Sequence, residues 1–238
     1  MITELLPQAV PAWFPPDAKL ECALAERQPI YRWRRPRYLV QQLKDLASLM
    51  PEGPCRVIDV GAGSGLVGET IARFFPGKHV TAIDVVDRFL PGLAVAHSTF
   101  DGRRIPHGDG AFDCAIFCNV LHHVPLEVRA ALLAEAVRVT AGRCIAIKDH
   151  LAASSLDRVR LAALDFVGNL PFGGMVWARY LSDSQWGALF DATRCDAERM
   201  VGPRYRSGAM SAAFPNRLEV LFRLKAQSRR HTLPSGPT

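Results

Sequence analysis

Residues Val57 to Ala72 read VIDVGAGSGLVGETIA, and they decide the fold. Cys55 to Val60 is a short β-rich run, and it ends in the glycines Gly61, Gly63 and Gly65. An apolar stretch of helical spacing follows, from about Leu66 to Phe75, closed by Pro76-Gly77. Glycines at such a turn let the chain reverse tightly and let a ligand approach the main chain. The helix start presents unpaired N–H groups to that ligand. A dinucleotide site has Gly-x-Gly-x-x-Gly and cradles a pyrophosphate. Here the third glycine comes one residue early and position 66 is Leu. No Lys-Ser/Thr pair follows, so a P-loop is excluded. Asp59, two residues before Gly61, sits badly beside a pyrophosphate and suits a cationic ligand.

Outward from the turn, strands alternate with helices. A β-branched run spans His79 to Asp84, and a short strand falls between Leu93 and Phe100. Cys114 to Asn119 is the fourth strand, a helix follows from about Leu126 to Thr140, and Arg143 to Lys148 is the fifth strand. That alternation predicts βαβ units and a parallel sheet covered on both faces. Pro91-Gly92 interrupts the short connection from Asp84 to Leu93, so the helix expected there is shortened or missing. Beyond His150 a helix is expected from about Ser155 to Val167. A second starts at Ser182, where Ser182 and Gln185 form a capping box. Arg194 to Val201 and Glu219 to Lys225 read as the last strands. Residues 1–35 are proline-rich and read as irregular, a helix is expected after Pro36, and the polar tail 226–238 reads as disordered.

These motifs resemble the class I S-adenosylmethionine-dependent methyltransferases, the small-molecule enzymes of methyltransferase type 11 in particular. The likeness covers about residues 50–150. It implies an α/β fold of the Rossmann-like class I methyltransferase type. That fold has a mostly parallel seven-stranded sheet, helices on both faces and an antiparallel last strand. It implies S-adenosylmethionine as cofactor, held by Asp59, Gly61, Ala62, Gly63, Gly65, Asp84, Val85, Asp101, Gly102, Asn119 and Leu121. In the family the glycine loop packs on the amino-acid part of the cofactor and the preceding acid holds its ammonium. Asp84, 19 residues after Gly65, matches the acid that takes the ribose hydroxyls. Asp101-Gly102 matches the loop that meets the adenine amino group, and Val85 directly follows Asp84. Asn119 and Leu121 match positions beside the methionine portion, and Leu132 to Val139 resembles the family as well. The abbreviated stretch from Val85 to Leu93 departs from the family pattern.

Methyl transfer is an in-line displacement at a sulfonium carbon, and the thioether leaves neutral. The protein must align the nucleophile, by proximity and orientation, and deprotonate it. A histidine suits that task near neutral pH. His150, in Lys148-Asp149-His150 after the fifth strand, is the leading candidate base, and His123 is the second. His122, His123 and His150 lack zinc-ligand spacing, so no metal is expected.

The 238 residues are enough for one domain with room for a small lid. Expected boundaries are an N-terminal lid segment at 1–50, the methyltransferase domain at 51–225 with a lid insertion at 151–192, and the tail. All four Trp and all four Tyr lie outside 51–150, and six aromatics fall between Phe166 and Phe190. Two polar-tipped aromatic clusters suggest walls around an apolar, planar small molecule. The loop from Gly168 to Gly174 is placed to flex over it.

Composition narrows the classes. With 49% hydrophobic and 22% charged residues, the chain is not disordered as a whole. No apolar run is long enough to span a bilayer, and Met1 to Val10 does not read as a signal peptide. Six sparse cysteines, Cys114 and Cys118 among them, fit free thiols in a reducing cytoplasm. The net charge of +6 sits at the ends: seven basic residues fall between Lys19 and Lys44, and four follow Glu219. The Arg27 to Arg37 cluster fits a solvated face, a cap over an anionic ligand, or RNA. Methylation of oxygen or nitrogen on a small metabolite of natural product biosynthesis is therefore the leading function. An RNA methyltransferase and a cofactor-binding protein without turnover are the alternatives. A small-molecule partner is expected, no membrane, and a homodimer as one arrangement.

Overall fold

A computed structural model describes residues 2–5, 9–170, 173, 177–202 and 204–227. Eight strands form one sheet: β1 (Ile2–Glu4), β2 (Cys55–Val60), β3 (Lys78–Asp84), β4 (Ala96–Thr99), β5 (Cys114–Cys118), β6 (Ile145–His150), β7 (Cys195–Val201) and β8 (Glu219–Ala226). Their order is β1-β7-β8-β6-β5-β2-β3-β4. Only β8 runs antiparallel, to β6 and to β7. The helices are α1 (Asp17–Arg27), α2 (Arg37–Leu49), α3 (Leu66–Phe74), α4 (Leu126–Thr140), α5 (Ser155–Asn169), α6 (Asp183–Ala192) and α7 (Gly208–Ala213).

The central strands are apolar on both faces because helices cover both. One core packs α4 and α6 on the sheet through Leu133, Val139, Trp186 and Phe222. The other packs α1, α2 and α3 through Leu24, Leu46, Ile71 and Val57. Burying each such side chain contributes about 1.5–3 kcal/mol. The Ser182 capping box is present, with Gln185 reaching back to the Ser182 N–H. No helix joins β3 to β4. Instead Leu90 N donates to the Ser64 carbonyl, so this segment folds back over the glycine turn.

Four sequence expectations change. Residues 1–35 are not irregular throughout: β1 pairs in parallel with β7, and α1 buries Leu20 and Leu24 completely. The sheet thereby gains an eighth strand. Trp13 and Phe14 pack on Phe75 of the sheet domain, at ring separations of 5.1 and 5.7 Å. Trp186, counted among lid aromatics, is fully buried between Phe190 and Phe222. His150 lies within β6 rather than after it. The tail beyond 227, and Pro171, Phe172 and Gly174 of the 168–174 segment expected to flex over a substrate, fall outside the described residues.

Candidate active site

The carboxyl ends of β2, β3, β5 and β6 converge at the glycine turn, where open α/β sheets take their ligands. Gly61 N and Ala62 N donate to the Ile83 carbonyl, at 2.8 and 3.0 Å, which ties the turn to β3. Gly61 adopts φ +76°, and a Cβ there would fall 2.6 Å from a methyl of Val120. Gly63 adopts φ +57°, and a Cβ there would meet nothing within 4 Å, so a ligand can approach the turn on that side. Gly65 caps α3, with Leu93 against it.

Asp59 lies beneath this turn, 1% exposed, and its Oδ2 has no hydrogen-bond partner. Burial, with the neighbouring Asp84 charge adding to it, pushes the carboxyl up to about 7. An acid held in that state lacks a cation. The Asp84 carboxylate accepts from Gly63 N at 2.7 Å and from Val86 N at 3.0 Å. Arg88 Nη2 lies 3.7 Å from the oxygen that Val86 N meets, and each carboxylate oxygen offers two acceptor sites. Val85 is exposed and lies against Gly102, forming one rim. Asp101 accepts from Arg103 N and Arg104 N, both at 2.8 Å, through one oxygen only. Those N–H groups hold its carboxyl below the usual range. Asn119 closes β5 with φ +58°. Leu121 is fully buried, and its N–H donates to Asp149 at 3.0 Å.

Beside this cradle lies a buried polar cluster that sequence reading found only in part. Lys148 Nζ donates to Glu219 at 2.5 Å, to Asn119 at 2.7 Å and to the Tyr38 hydroxyl. Burial alone would lower the Lys148 ammonium, but the Glu219 carboxylate outweighs it and holds it above its ordinary range. Arg206 adds a second cation on Glu219, at 2.6 Å. His150 is 3% exposed, with Nδ1 3.2 Å from Glu219 and Nε2 3.7 Å from Asp165. His122 is sandwiched between acids: Nδ1 lies 2.5 Å from Asp149 and Nε2 3.3 Å from Asp165. Burial pulls its imidazolium down, yet Asp149 and Asp165 outweigh burial and raise it to about 9. Tyr180 covers this group, donating to Asp165 at 2.5 Å and stacking on His122 at 5.4 Å.

His123 differs. Its Nδ1 bonds the Trp177 carbonyl at 2.8 Å, which places the proton on Nδ1 and leaves the Nε2 lone pair open. Burial, then the neighbouring His122, lowers its pKa below 6.5. His122, His123 and Asp165 bring ligand atoms within 4.8 Å of one another, the described group nearest to a metal set. Both nitrogens of His122 already face carboxylates.

Glu219, Asp165 and Tyr38 were not singled out from sequence. Lys148-Asp149-His150 inside an otherwise apolar strand was the available signal. Polar residues on a two-sided buried strand must find partners.

The glycine cradle, the unmatched buried acid and the ribose-type carboxylate fit S-adenosylmethionine, which is cationic at its ammonium and carries two ribose hydroxyls. Fold and site resemble those of the class I S-adenosylmethionine-dependent methyltransferases. A methyltransferase-domain family profile matches residues 58–146. The chain is 29% identical over 194 residues to a ubiquinone biosynthesis O-methyltransferase of Xanthomonas axonopodis pv. citri (strain 306), covering 74% of this chain and 77% of that one. A structure titled as a SAM-dependent methyltransferase from Methanosarcina mazei superposes with a TM-score of 0.56, at 18% identity, covering 76% of this chain and 96% of that one. Geranyl diphosphate C-methyltransferase of Streptomyces coelicolor A3(2), solved with S-adenosyl-L-homocysteine, gives a TM-score of 0.59 at 14% identity, covering 78% of this chain and 75% of that one. Among the described residues no helix is long and apolar enough to cross a membrane.

Proposed function

We propose that the chain methylates a hydroxyl oxygen of a small aromatic or otherwise planar metabolite. The observation that carries this reading is His123. It is a neutral imidazole with a fixed tautomer and an open Nε2, two residues beyond Leu121. A phenol needs such a base, because its own proton is held to about pH 10. Bound S-adenosylmethionine supplies the electrophilic methyl. Asp59 pairs with its ammonium, the Gly61-Ala62-Gly63-Ser64-Gly65 turn supports its amino-acid part, and Asp84 takes its ribose hydroxyls. Val85, Asp101 and Gly102 border the adenine, and Asn119 and Leu121 border the methionine portion. His123 takes the hydroxyl proton. His150, flanked by Glu219 and Asp165, acts beside it as the positioning group or as the alternative acceptor.

The cover over the acceptor is narrower than residues 1–50 plus 151–192. It consists of the segment around Tyr38, of α5 and of residues 177–180. Arg34 Nη1 donates to the Val167 carbonyl at 3.3 Å, and Arg88 Nη1 to the Gly173 carbonyl at 3.1 Å, tying these parts together. The ubiquinone O-methyltransferase relative supports oxygen as the attacked atom. An acceptor from natural product biosynthesis and a cytoplasmic location belong to the same reading, the latter supported by six free cysteines. A homodimer belongs to it as well. The test is turnover of labelled S-adenosylmethionine with the full chain against phenols, catechols, anilines and RNA. Label on a phenol or catechol is expected, and it disappears in His123→Gln. Label on RNA alone, or binding without turnover, would overturn the reading.

A further inference from the structure

A second cavity, of about 460 Å³, opens between α4, α5 and the segment 177–180. Its wall carries Arg129, Arg158 and Arg179 and, among the described residues, no carboxylate. Leu126, Val159 and Ala162 supply an apolar side. Arg129 is only 2% exposed. Its Nε donates to the Val124 carbonyl at 2.8 Å, and its Nη2 to the carbonyls of His122 and Arg179 at 3.3 and 2.8 Å. Its Nη1 is buried with no hydrogen-bond partner. No carboxylate among the described residues lies within ion-pair range of Arg129. Asp149 and Glu127 act on it only from farther away. Arg158 and Arg179 are exposed and likewise form no ion pair among the described residues.

A buried guanidinium without a counter-ion is costly, because neither water nor an acid compensates its charge. That buried group, with the exposed Arg158 and Arg179 beside it on one partly apolar hollow, makes a receptor for an oxyanion, which guanidinium forks bind with parallel hydrogen bonds. We propose that this cavity binds a small organic acid. Its carboxylate meets Arg129 and is closed upon by Arg158 and Arg179, and its apolar body rests on Leu126, Val159 and Ala162. The site is separate from the cofactor cradle. Arg129 nevertheless holds the carbonyls of His122 and Val124, so the ligand bears on the loop that carries His123.

Calorimetry and thermal unfolding of the full chain test this, with benzoate, benzamide and inorganic phosphate at matched ionic strength. Saturable benzoate binding with a rise in Tm is expected, no response to benzamide, and weaker binding of phosphate. Arg158→Gln and Arg179→Gln should each weaken benzoate by about tenfold, the scale of one charge-assisted hydrogen bond. Neither should change S-adenosylmethionine affinity or the Tm in chloride buffer. Equal responses to benzoate and benzamide, phosphate tighter than benzoate, or benzoate affinity unchanged in both variants would overturn the proposal.

Discussion

Replacing Asp59 with Asn should make the cofactor-free protein more stable and the cofactor weaker. The Asp59 carboxyl is 1% exposed with an unpartnered Oδ2. Its pKa is pushed up to about 7, from an ordinary 3.8, by burial first and the Asp84 charge second. The folded state therefore holds this proton more tightly than the unfolded chain does. Below pH 4 both states are protonated and nothing is lost. Between about pH 4 and 7 the unfolded chain ionises first, and stability falls as pH rises. At 1.36 kcal/mol per pH unit, the loss above pH 7 is about 4 kcal/mol. Asparagine carries no charge to desolvate and escapes that loss. Urea unfolding of both proteins at several pH values reads the difference as a shift in midpoint at constant slope. The two should agree near pH 4, and the variant should be more stable by about 4 kcal/mol at pH 8. S-adenosylmethionine affinity should fall by about 1.5–3 kcal/mol, the scale of a hydrogen bond between charged groups. A variant less stable than the parent at pH 8 would refute the reasoning, since it would mean that the carboxylate already has its partner.

His122 is raised to about 9, so it stabilises the fold fully below pH 6.5 and loses that contribution as pH passes through 9. Unfolding midpoints from pH 6 to 10 should record a loss of about 3 kcal/mol, and Asp149→Asn should flatten that profile while lowering stability throughout. The pH–rate profile for a phenolic acceptor should stay level down to below pH 6.5, because His123 is neutral there, and His123→Gln should cost about 10²–10⁴-fold in kcat. Gly61→Ala should destabilise by more than about 1 kcal/mol, since a Cβ meets Val120 at 2.6 Å and φ is +76°; denaturant melts of the two proteins check it. Leu24→Ala in α1 should cost about 2–5 kcal/mol in the same assay, as a fully buried core position does. A near-neutral effect would return α1 to the status of a cover.

The sheet was legible because each central strand is a short apolar run closed by a turn, and β2, β3 and β5 leave few alternatives. The glycine turn with Asp59 and Asp84 was legible for a local reason: its residues sit at strand ends within one βαβ frame. The N-terminal segment was not. Five prolines between positions 7 and 29 hide a helix whose signal is only Leu20, Ala23 and Leu24 on one face. Proline at the cap position starts that helix instead of breaking it.

The histidines show where one-dimensional reading stops. His122 and His123 are adjacent and alike in sequence, yet the turn after β5 sends one ring inward to Asp149 and Asp165 and the other to the Trp177 carbonyl. Their pKa values part in opposite directions for that reason. One is held in its charged form between two carboxylates, and the other is held toward its neutral form. The groups that separate them come from β6, α5 and the segment before α6, all remote in the chain. The same holds for Lys148, whose partner Glu219 lies 71 residues away at the start of an antiparallel strand. Sequence placed the candidate residues at the carboxyl ends of the central strands. The division of labour among its histidines is set by acids that only the folded chain brings together.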